Sequence, residues 1–132
     1  MSDLSDKSVP IGELVLQTIA MPKETNINGD IFGGWLLGQM DLAGGILASR
    51  VADGRITTVA VSSMVFLNPV PVGSVLSCYA QTQSIGTSSI RLFIEAWCKA
   101  PGQSELCKVT EGEFVFVAID DQGVPRAIEK NA

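Results

Sequence analysis

The stretch Asn26-Ile27-Asn28-Gly29-Asp30-Ile31-Phe32-Gly33-Gly34-Trp35, followed closely by Gln39-Met40-Asp41, holds the residue types in this chain that could do chemistry. Gly33-Gly34 falls where a long apolar run of helical length begins. Backbone amides in the first turn of a helix lack intrahelical partners, and the helix dipole is positive there. Such a start can take up negative charge developing on a carbonyl oxygen, and glycine lets that oxygen come close. Asp41 brings a carboxylate into the same run. The chain contains no histidine. That absence removes Ser-His-Asp and Cys-His catalysis and most zinc sites, and leaves a carboxylate as the natural general base near neutral pH. Gly29 to Gly34 is not a phosphate loop, because it lacks the Lys-Ser/Thr ending.

Each of these residues also has a plainer reading. Asp41 lies seven residues after Gly34, about 10 Å along a helix axis. Within one straight helix the two are too far apart to act directly on the same carbonyl. A groove between two subunits would solve this, with the amides from one chain and the acid from its neighbour, and it requires a dimer. Burial in an apolar helix would strengthen Asp41 as a base. Alternatively, Asp41 makes a structural hydrogen bond to a strand or caps a partner. Asn26 and Asn28 suit a turn, and Asp30 suits the N-cap region of the helix. Glu111 and Glu113 flank Gly112 and read as solvent-facing or bulge residues, with Glu111 the one that could reach a groove.

The elements that must position these groups are set by periodicity. Leu14 to Met21 reads as a first strand and residues 22–30 as a loop. Ile31 to Ser49 is nineteen residues with one charge and five glycines. A membrane span is the competing reading, and Gly34-x-x-x-Gly38 is a helix-packing motif. A carboxylate near the centre of a span costs about 2.5–3.5 kcal/mol, and the chain beyond Gly54 reads as β-sheet. A core helix covered by a sheet is the better reading. On a helical wheel, Gly34, Gly38, Asp41 and Gly45 form a stripe of small residues with one acid. Leu36, Met40, Ala43 and Leu47 form another face. Glycine costs about 1 kcal/mol in a helix relative to alanine, so the stripe suggests a steric reason.

Asp53-Gly54 reads as a helix stop. Four strands come after it: Ile56 to Leu67, Val75 to Gln83, Ile90 to Cys98 with strict alternation, and Leu106 to Ile119 with Gly112 a possible bulge. Asn68 to Gly73, Gly86-Thr87-Ser88-Ser89 and Pro101-Gly102 break them. Short turns imply antiparallel neighbours. One helix for one apolar sheet face gives an α+β architecture: a curved antiparallel sheet of five or six strands around a central helix.

Composition bounds the function. With 132 residues the chain is one domain, expected over 13–126 with tails at 1–12 and 127–132. It is 46% hydrophobic, which at this size suggests burial against other subunits. The net charge is −5 and the nine Lys and Arg are scattered, which excludes nucleic acid as a partner. Cys78, Cys98 and Cys107 are odd in number, form no CxxC pair and sit in apolar stretches. They read as buried, reduced packing residues of a cytoplasmic protein. The polar residues 1–10 show no secretory signal.

The motif Thr25-Asn26-Ile27-Asn28-Gly29-Asp30-Ile31-Phe32-Gly33-Gly34-Trp35-Leu36 with Gln39-Met40-Asp41 resembles the YciA-like branch of the acyl-CoA thioesterases. So do Thr58-Val59-Ala60-Val61, Met64-x-Phe66-Leu67-x-Pro69-Val70-x-Val72-Gly73 and Glu95-x-Trp97. The likeness runs from about Leu14 to Arg126. It implies a hot-dog fold, a double hot-dog dimer and a trimer of such dimers, a homohexamer. It implies hydrolysis of a broad range of acyl-CoA thioesters, with coenzyme A as part of the substrate and as product and no cofactor required. By the same resemblance Asp41 is the catalytic carboxylate, as general base or nucleophile. Asn26 orients water or substrate, and the helix start at Gly34 donates to the oxyanion. The strand from Thr57 to Met64, with Thr58 and Val61, would line the pantetheine tunnel, with Gly86, Thr87, Ser88 and Ser89 near the nucleotide. Arg55, Arg91 and Arg126 are candidates for the phosphates, because a guanidinium matches phosphate geometry. A hydratase reading is disfavoured because such sites use a histidine. A non-catalytic acyl-CoA-binding module remains the alternative.

Overall fold

The computed structural model describes residues 9–129; residues 1–8 and 130–132, parts of the two expected tails, lie outside the described residues. The elements run β1 (Glu13–Ile19), a 3-10 turn (Pro22–Glu24), α1 (Gly33–Ala52), β2 (Ile56–Phe66), β3 (Val75–Ile85), β4 (Ser89–Lys99) and β5 (Cys107–Ala118). Five strands form one antiparallel sheet in the order β1-β3-β4-β5-β2. Its apolar face wraps α1, which is the hot-dog arrangement.

Helix α1 forms despite five glycines because its tertiary contacts outweigh their propensity cost. Leu36, Met40, Ala43, Gly44, Leu47, Ala48 and Ala52 are buried, recurring at three and four residues along the face turned to the sheet. Opposite them lie Leu76, Ile90, Leu92, Ile94, Phe114 and Phe116, all fully buried. The rings of Phe114 and Phe116 stack with centroids 6.3 Å apart. The tightest approach falls at Gly44: a Cβ there would lie 2.6 Å from Ile94 Cδ1 and 2.7 Å from the Phe116 ring. The steric demand expected for the Gly34/Gly38/Gly45 stripe therefore belongs, within this chain, to Gly44. Among the described residues, nothing lies within 4 Å of a Cβ built on Gly38. The helix ends at Asp53, which adopts the left-handed conformation (φ 52°) and donates its amide to Arg50 O. Arg126 Nη2 then satisfies Ala52 O at 2.8 Å.

Four expectations are corrected. The helix N-cap is Phe32, not Asp30. The turn between β2 and β3 does not join neighbours, because β2 pairs with β5 at the far edge while β3 lies between β1 and β4. Residues 67–74 cross between them, and amides of Leu67 and Asn68 reach Val109 O on the way. The bulge lies across from Gly112, in β2: Ser62 faces Glu113 and Val65 faces Glu111, so Ser63 and Met64 together oppose Gly112. Ser63 takes the left-handed φ of 56° there, and Gly112 leaves the space that the Met64 side chain occupies. Finally, Cys78 and Cys98 are buried but Cys107 is exposed.

On the outer face of the sheet, Glu95 and Trp97 are each only 3% exposed. Trp97 Nε1 and the Ile11 amide both donate to Glu95 Oε1, at 2.9 and 3.1 Å. Lys108 Nζ bridges Glu95 (2.8 Å) and Glu111. Past β5, Ile128 packs into the core and its amide donates to Thr87 O. Among the described residues, no helix is long and apolar enough to cross a membrane.

Candidate active site

The loop ahead of α1 is built by Asn26. Its side-chain Oδ1 accepts the amides of Asn28 (2.8 Å) and Asp30 (3.1 Å), an Asx turn of the kind asparagine favours. Its backbone closes the loop on both sides, Asn26 N to Asp30 O at 2.7 Å and Gly29 N to Asn26 O at 3.0 Å. Gly29 takes φ +86°, which this turn needs. The Asn26 side-chain oxygen is thus used structurally, and its Nδ2 has no partner among the described residues. Asp30, freed from the capping role, instead faces a cavity.

That loop delivers the chain to Phe32 and the helix start. Trp35 N is the first amide to find an acceptor, Phe32 O at 3.1 Å. The amides of Gly33 and Gly34 have none among the described residues, and no side chain caps them. Two unpaired N–H groups at the positive end of a twenty-residue helix can hold a developing oxyanion. Among the described residues a Cβ on Gly34 would meet only the Phe32 ring, and Gly34 is exposed, so the approach is open.

Asp41 lies on the open stripe of α1. It is half-buried in the single chain. Thr58 Oγ1 donates to Asp41 Oδ1 at 2.7 Å, which fixes the carboxylate and leaves Oδ2 without a partner among the described residues. Thr58 holds this position on edge strand β2, next to a register irregularity between Thr58 and Ala60. A single unpaired residue there re-aims the side chains around it. The family resemblance places Thr58 in the pantetheine tunnel; its hydroxyl is directed at the acid. Val61 lies exposed further along the same strand.

A cavity of about 310 Å³ opens beside the helix start, lined by Asn26, Asp30, Gly33, Phe66, Leu67 and Asn68 among others. Phe66 packs over Gly33, 3.3 Å from where a Cβ would be. Asn68 Nδ2 donates to Lys108 O at 2.7 Å. The fold, not a sequence motif of known chemistry, brings Phe66, Leu67 and Asn68 to this cavity; their sequence signal is the Met64-x-Phe66-Leu67-x-Pro69 pattern at the end of a strand.

The other candidates gather at the opposite end of β2. The Ala118 amide donates to Ser88 O, the Ile119 amide to Arg55 O and the Gly86 amide to Ser89 O. These bonds bring the Gly86–Ser89 turn and Arg55 to one end of the sheet, with Arg126 beside them. Arg126 is committed to Ala52 O and Ile119 O, and Arg91 to Glu113 at 3.2 Å. Arg55 Nη1 holds Asp120 O at 3.0 Å and its side chain is otherwise exposed. The Asp120 carboxyl is held below the usual range chiefly by the Val124 amide, aided by the Gln122 amide and the Arg55 charge.

Comparison with known proteins gives concordant results. Residues 28–105 match the thioesterase superfamily. The acyl-CoA thioester hydrolase YciA of Escherichia coli (strain K12) is 51% identical over 124 residues, covering 92% of this chain and 94% of that protein. The crystal structure of a hexameric thioesterase from Yersinia pestis is 50% identical with a TM-score of 0.90, covering 93% of this chain and all of that one. An acyl-CoA hydrolase from Staphylococcus aureus, solved in complex with butyryl coenzyme A, coenzyme A and coenzyme A disulfide, is 26% identical with a TM-score of 0.79, covering 88% of this chain and 74% of that one. Variants of it with an aspartate or an asparagine replaced by alanine have also been solved.

Proposed function

Since this chain belongs to the thioesterase superfamily and is an acyl-CoA thioester hydrolase similar to YciA, we propose that Asp41 is its catalytic carboxylate, acting at a seam between two protomers. The observation that carries this reading is the Thr58–Asp41 pair: one carboxylate oxygen is held at 2.7 Å and the other has no partner among the described residues, on the open face of the helix.

The partner subunit supplies what one chain lacks. Edge strand β2 is eleven residues long and exposes Val59, Val61, Val65 and Phe66, while α1 exposes Leu42 and Ile46. An exposed apolar strand edge is a template for a second chain, and a two-fold pairing there would bury Asp41. The thioester carbonyl then points at the Gly33 and Gly34 amides of one protomer while Asp41 of the other takes a proton from water. The resulting hydroxide adds to the carbonyl carbon. The tetrahedral intermediate expels the coenzyme A thiolate, which recovers the proton from Asp41. In the nucleophilic variant, Asp41 attacks first and water cleaves the mixed anhydride. Asn26, whose Nδ2 has no partner among the described residues, orients water or the thioester. The alanine substitutions in the S. aureus enzyme lie fifteen positions apart in its chain, the separation of Asn26 and Asp41 here, which supports treating these two positions as the functional pair.

Coenzyme A extends from this point along β2, past Val61, with its nucleotide at the end where Arg55 meets the turn Gly86, Thr87, Ser88 and Ser89. Arg91 contributes only if it leaves Glu113. A site open at the helix start suits a broad range of acyl chains. The domain, expected over 13–126 and continued by the core-packed Ile128, assembles as a trimer of dimers in the cytoplasm; the Y. pestis relative is hexameric.

Thiol release from a series of acyl-CoAs tests the activity, and Asp41→Asn tests the assignment. General-base loss should lower kcat by about 10²–10⁴ while coenzyme A still binds. If Asp41→Asn keeps most of its rate, Asp41 is not the base.

A further inference from the structure

The β4–β5 hairpin closes on two cysteines. Cys98 and Cys107 are direct partners across the antiparallel ladder, and both are free thiols. Directly opposed residues have Cα atoms about 4.5–5.5 Å apart, inside the roughly 4.4–6.8 Å that disulfides span. Their Cβ atoms, at about 4.5–5.5 Å, sit wider than the usual disulfide value of about 3.8 Å. A bond between them draws the strands together, and strained disulfides are the readily reduced ones. The two sites differ in access: Cys107 is exposed, whereas Cys98 is 3% exposed. Burial raises the Cys98 thiol, the neighbouring Cys107 raises it further, and the Ser74 hydroxyl beside it opposes both. Cys78 offers a contrast: burial pushes it up to about 12, and its ladder partners are Leu16 and Ala96.

We propose that Cys98 and Cys107 are a redox-modifiable pair that forms a reversible cross-strand disulfide by exchange with a low-molecular-weight disulfide. The exposed Cys107 thiolate attacks one sulfur of the incoming disulfide, making a mixed disulfide and releasing one small thiol. Cys98 then loses its proton to solvent and attacks Cys107 Sγ, expelling the second small thiol. Two protein thiols are oxidised by two electrons and one small disulfide is reduced to two thiols.

The hairpin is joined to the cavity wall. Lys108 O, one residue from Cys107, accepts from both Asn68 Nδ2 (2.7 Å) and Cys107 Sγ (3.8 Å). Leu67 and Asn68, which line the cavity, also donate their amides to Val109 O. On the other strand, Ser74 adjoins Cys98, and Pro101 lies 3.1 Å from a Cβ built on Gly73. Drawing the two strands together shifts the segment that holds Asn68. This second link rests on the proposed function; the disulfide does not.

The test incubates the full-length reduced protein with oxidised glutathione, blocks remaining thiols by alkylation and measures intact and peptide masses. The expected result is loss of two thiols without retained glutathione, with residues 98 and 107 cross-linked and reduction by dithiothreitol restoring both. Cys98→Ser should accumulate a glutathione adduct on Cys107, and Cys107→Ser should leave Cys98 unmodified. No reaction, or a wild-type protein that stops at the Cys107 adduct, overturns the proposal. Turnover of butyryl-CoA should change at least twofold on oxidation and recover on reduction; equal turnover in both states overturns the link to the cavity. A protein that hydrolyses no acyl-CoA refutes the proposed function, while the mass readout still judges the disulfide.

Discussion

Replacing Thr58 with valine preserves side-chain shape and removes one hydroxyl, the one that donates to Asp41 Oδ1 at 2.7 Å. A hydrogen bond to a charged group is worth about 1.5–3 kcal/mol. At about 1.4 kcal/mol per tenfold in rate, its full loss in the transition state lowers kcat by roughly 10- to 100-fold. Thr58 is exposed in the single chain, where water would replace much of that bond. Coverage by a second subunit removes the water and puts the loss toward the upper figure. Because the hydroxyl acts through Asp41, KM for butyryl-CoA should stay within about twofold, which is the pattern of a lost transition-state interaction. Thr58→Ser keeps the donor and should recover most of the rate. Steady-state thiol release at saturating and subsaturating substrate separates the two parameters. If Thr58→Val retains kcat within twofold of wild type, the hydroxyl does not position the acid. If the loss falls on KM alone, Thr58 is a coenzyme A contact, as its place on the tunnel strand first suggested.

Packing sets two stability changes. Gly44→Ala forces a methyl group against Ile94 and Phe116. Overpacking costs about 1–3 kcal/mol and alanine returns about 1 kcal/mol of helix propensity, so thermal melting should show a lower Tm; an unchanged Tm would mean that the sheet relaxes freely there. Lys108→Met strands the Glu95 carboxylate on the outer face. Removing one partner of a buried pair costs about 3–5 kcal/mol, readable by urea denaturation, and a loss below about 1 kcal/mol, the range of exposed pairs, would show Glu95 to be solvated. Burial pulls the Lys108 pKa down, but bonds to Glu111 and Glu95 outweigh it and leave the pKa above its ordinary 10.5. The folded state therefore gains from the protonated amine at any pH below 10.5, and wild-type stability should fall as pH rises beyond that value. Lys108→Met should lack this decline.

Much of the architecture was legible because local signals agreed. The alternation Ile90, Leu92, Ile94, Ala96, Cys98 set both the existence of β4 and its buried face, and Asp53-Gly54 marked the helix end to the residue. What escaped was non-local. No local pattern states that β2 pairs with β5 and not with β3, so Asn68 to Gly73 read as a short turn between neighbours although the segment crosses between distant strands. Gly112 was legible as a bulge signal, but the extra residue sits in the strand across from it, at Ser63. Asp30 has the right chemistry for a helix cap and stands two residues too early, because Asn26 draws its amide into the Asx turn. Cys107 lies in an apolar context and still faces out, since it opens its strand at the hairpin mouth. Within the site, Asp41 and the Gly33-Gly34 start were visible as residue types. The Thr58–Asp41 bond was not, because it joins residues seventeen positions apart on a helix and an edge strand whose register is locally irregular.

In the proposed site, one chain's amides and loop act with another chain's acid. Co-expressing Asp41→Ala with Asn26→Ala subunits and purifying the mixed assemblies tests this directly. Each single variant should be nearly inactive alone. In a two-fold dimer with composite sites, a mixed pair contains one intact site and one doubly damaged site, so random mixing should restore about a quarter of wild-type turnover. Mixed assemblies no more active than the single variants would show that Asn26 and Asp41 work within the same chain, contradicting the seam between protomers.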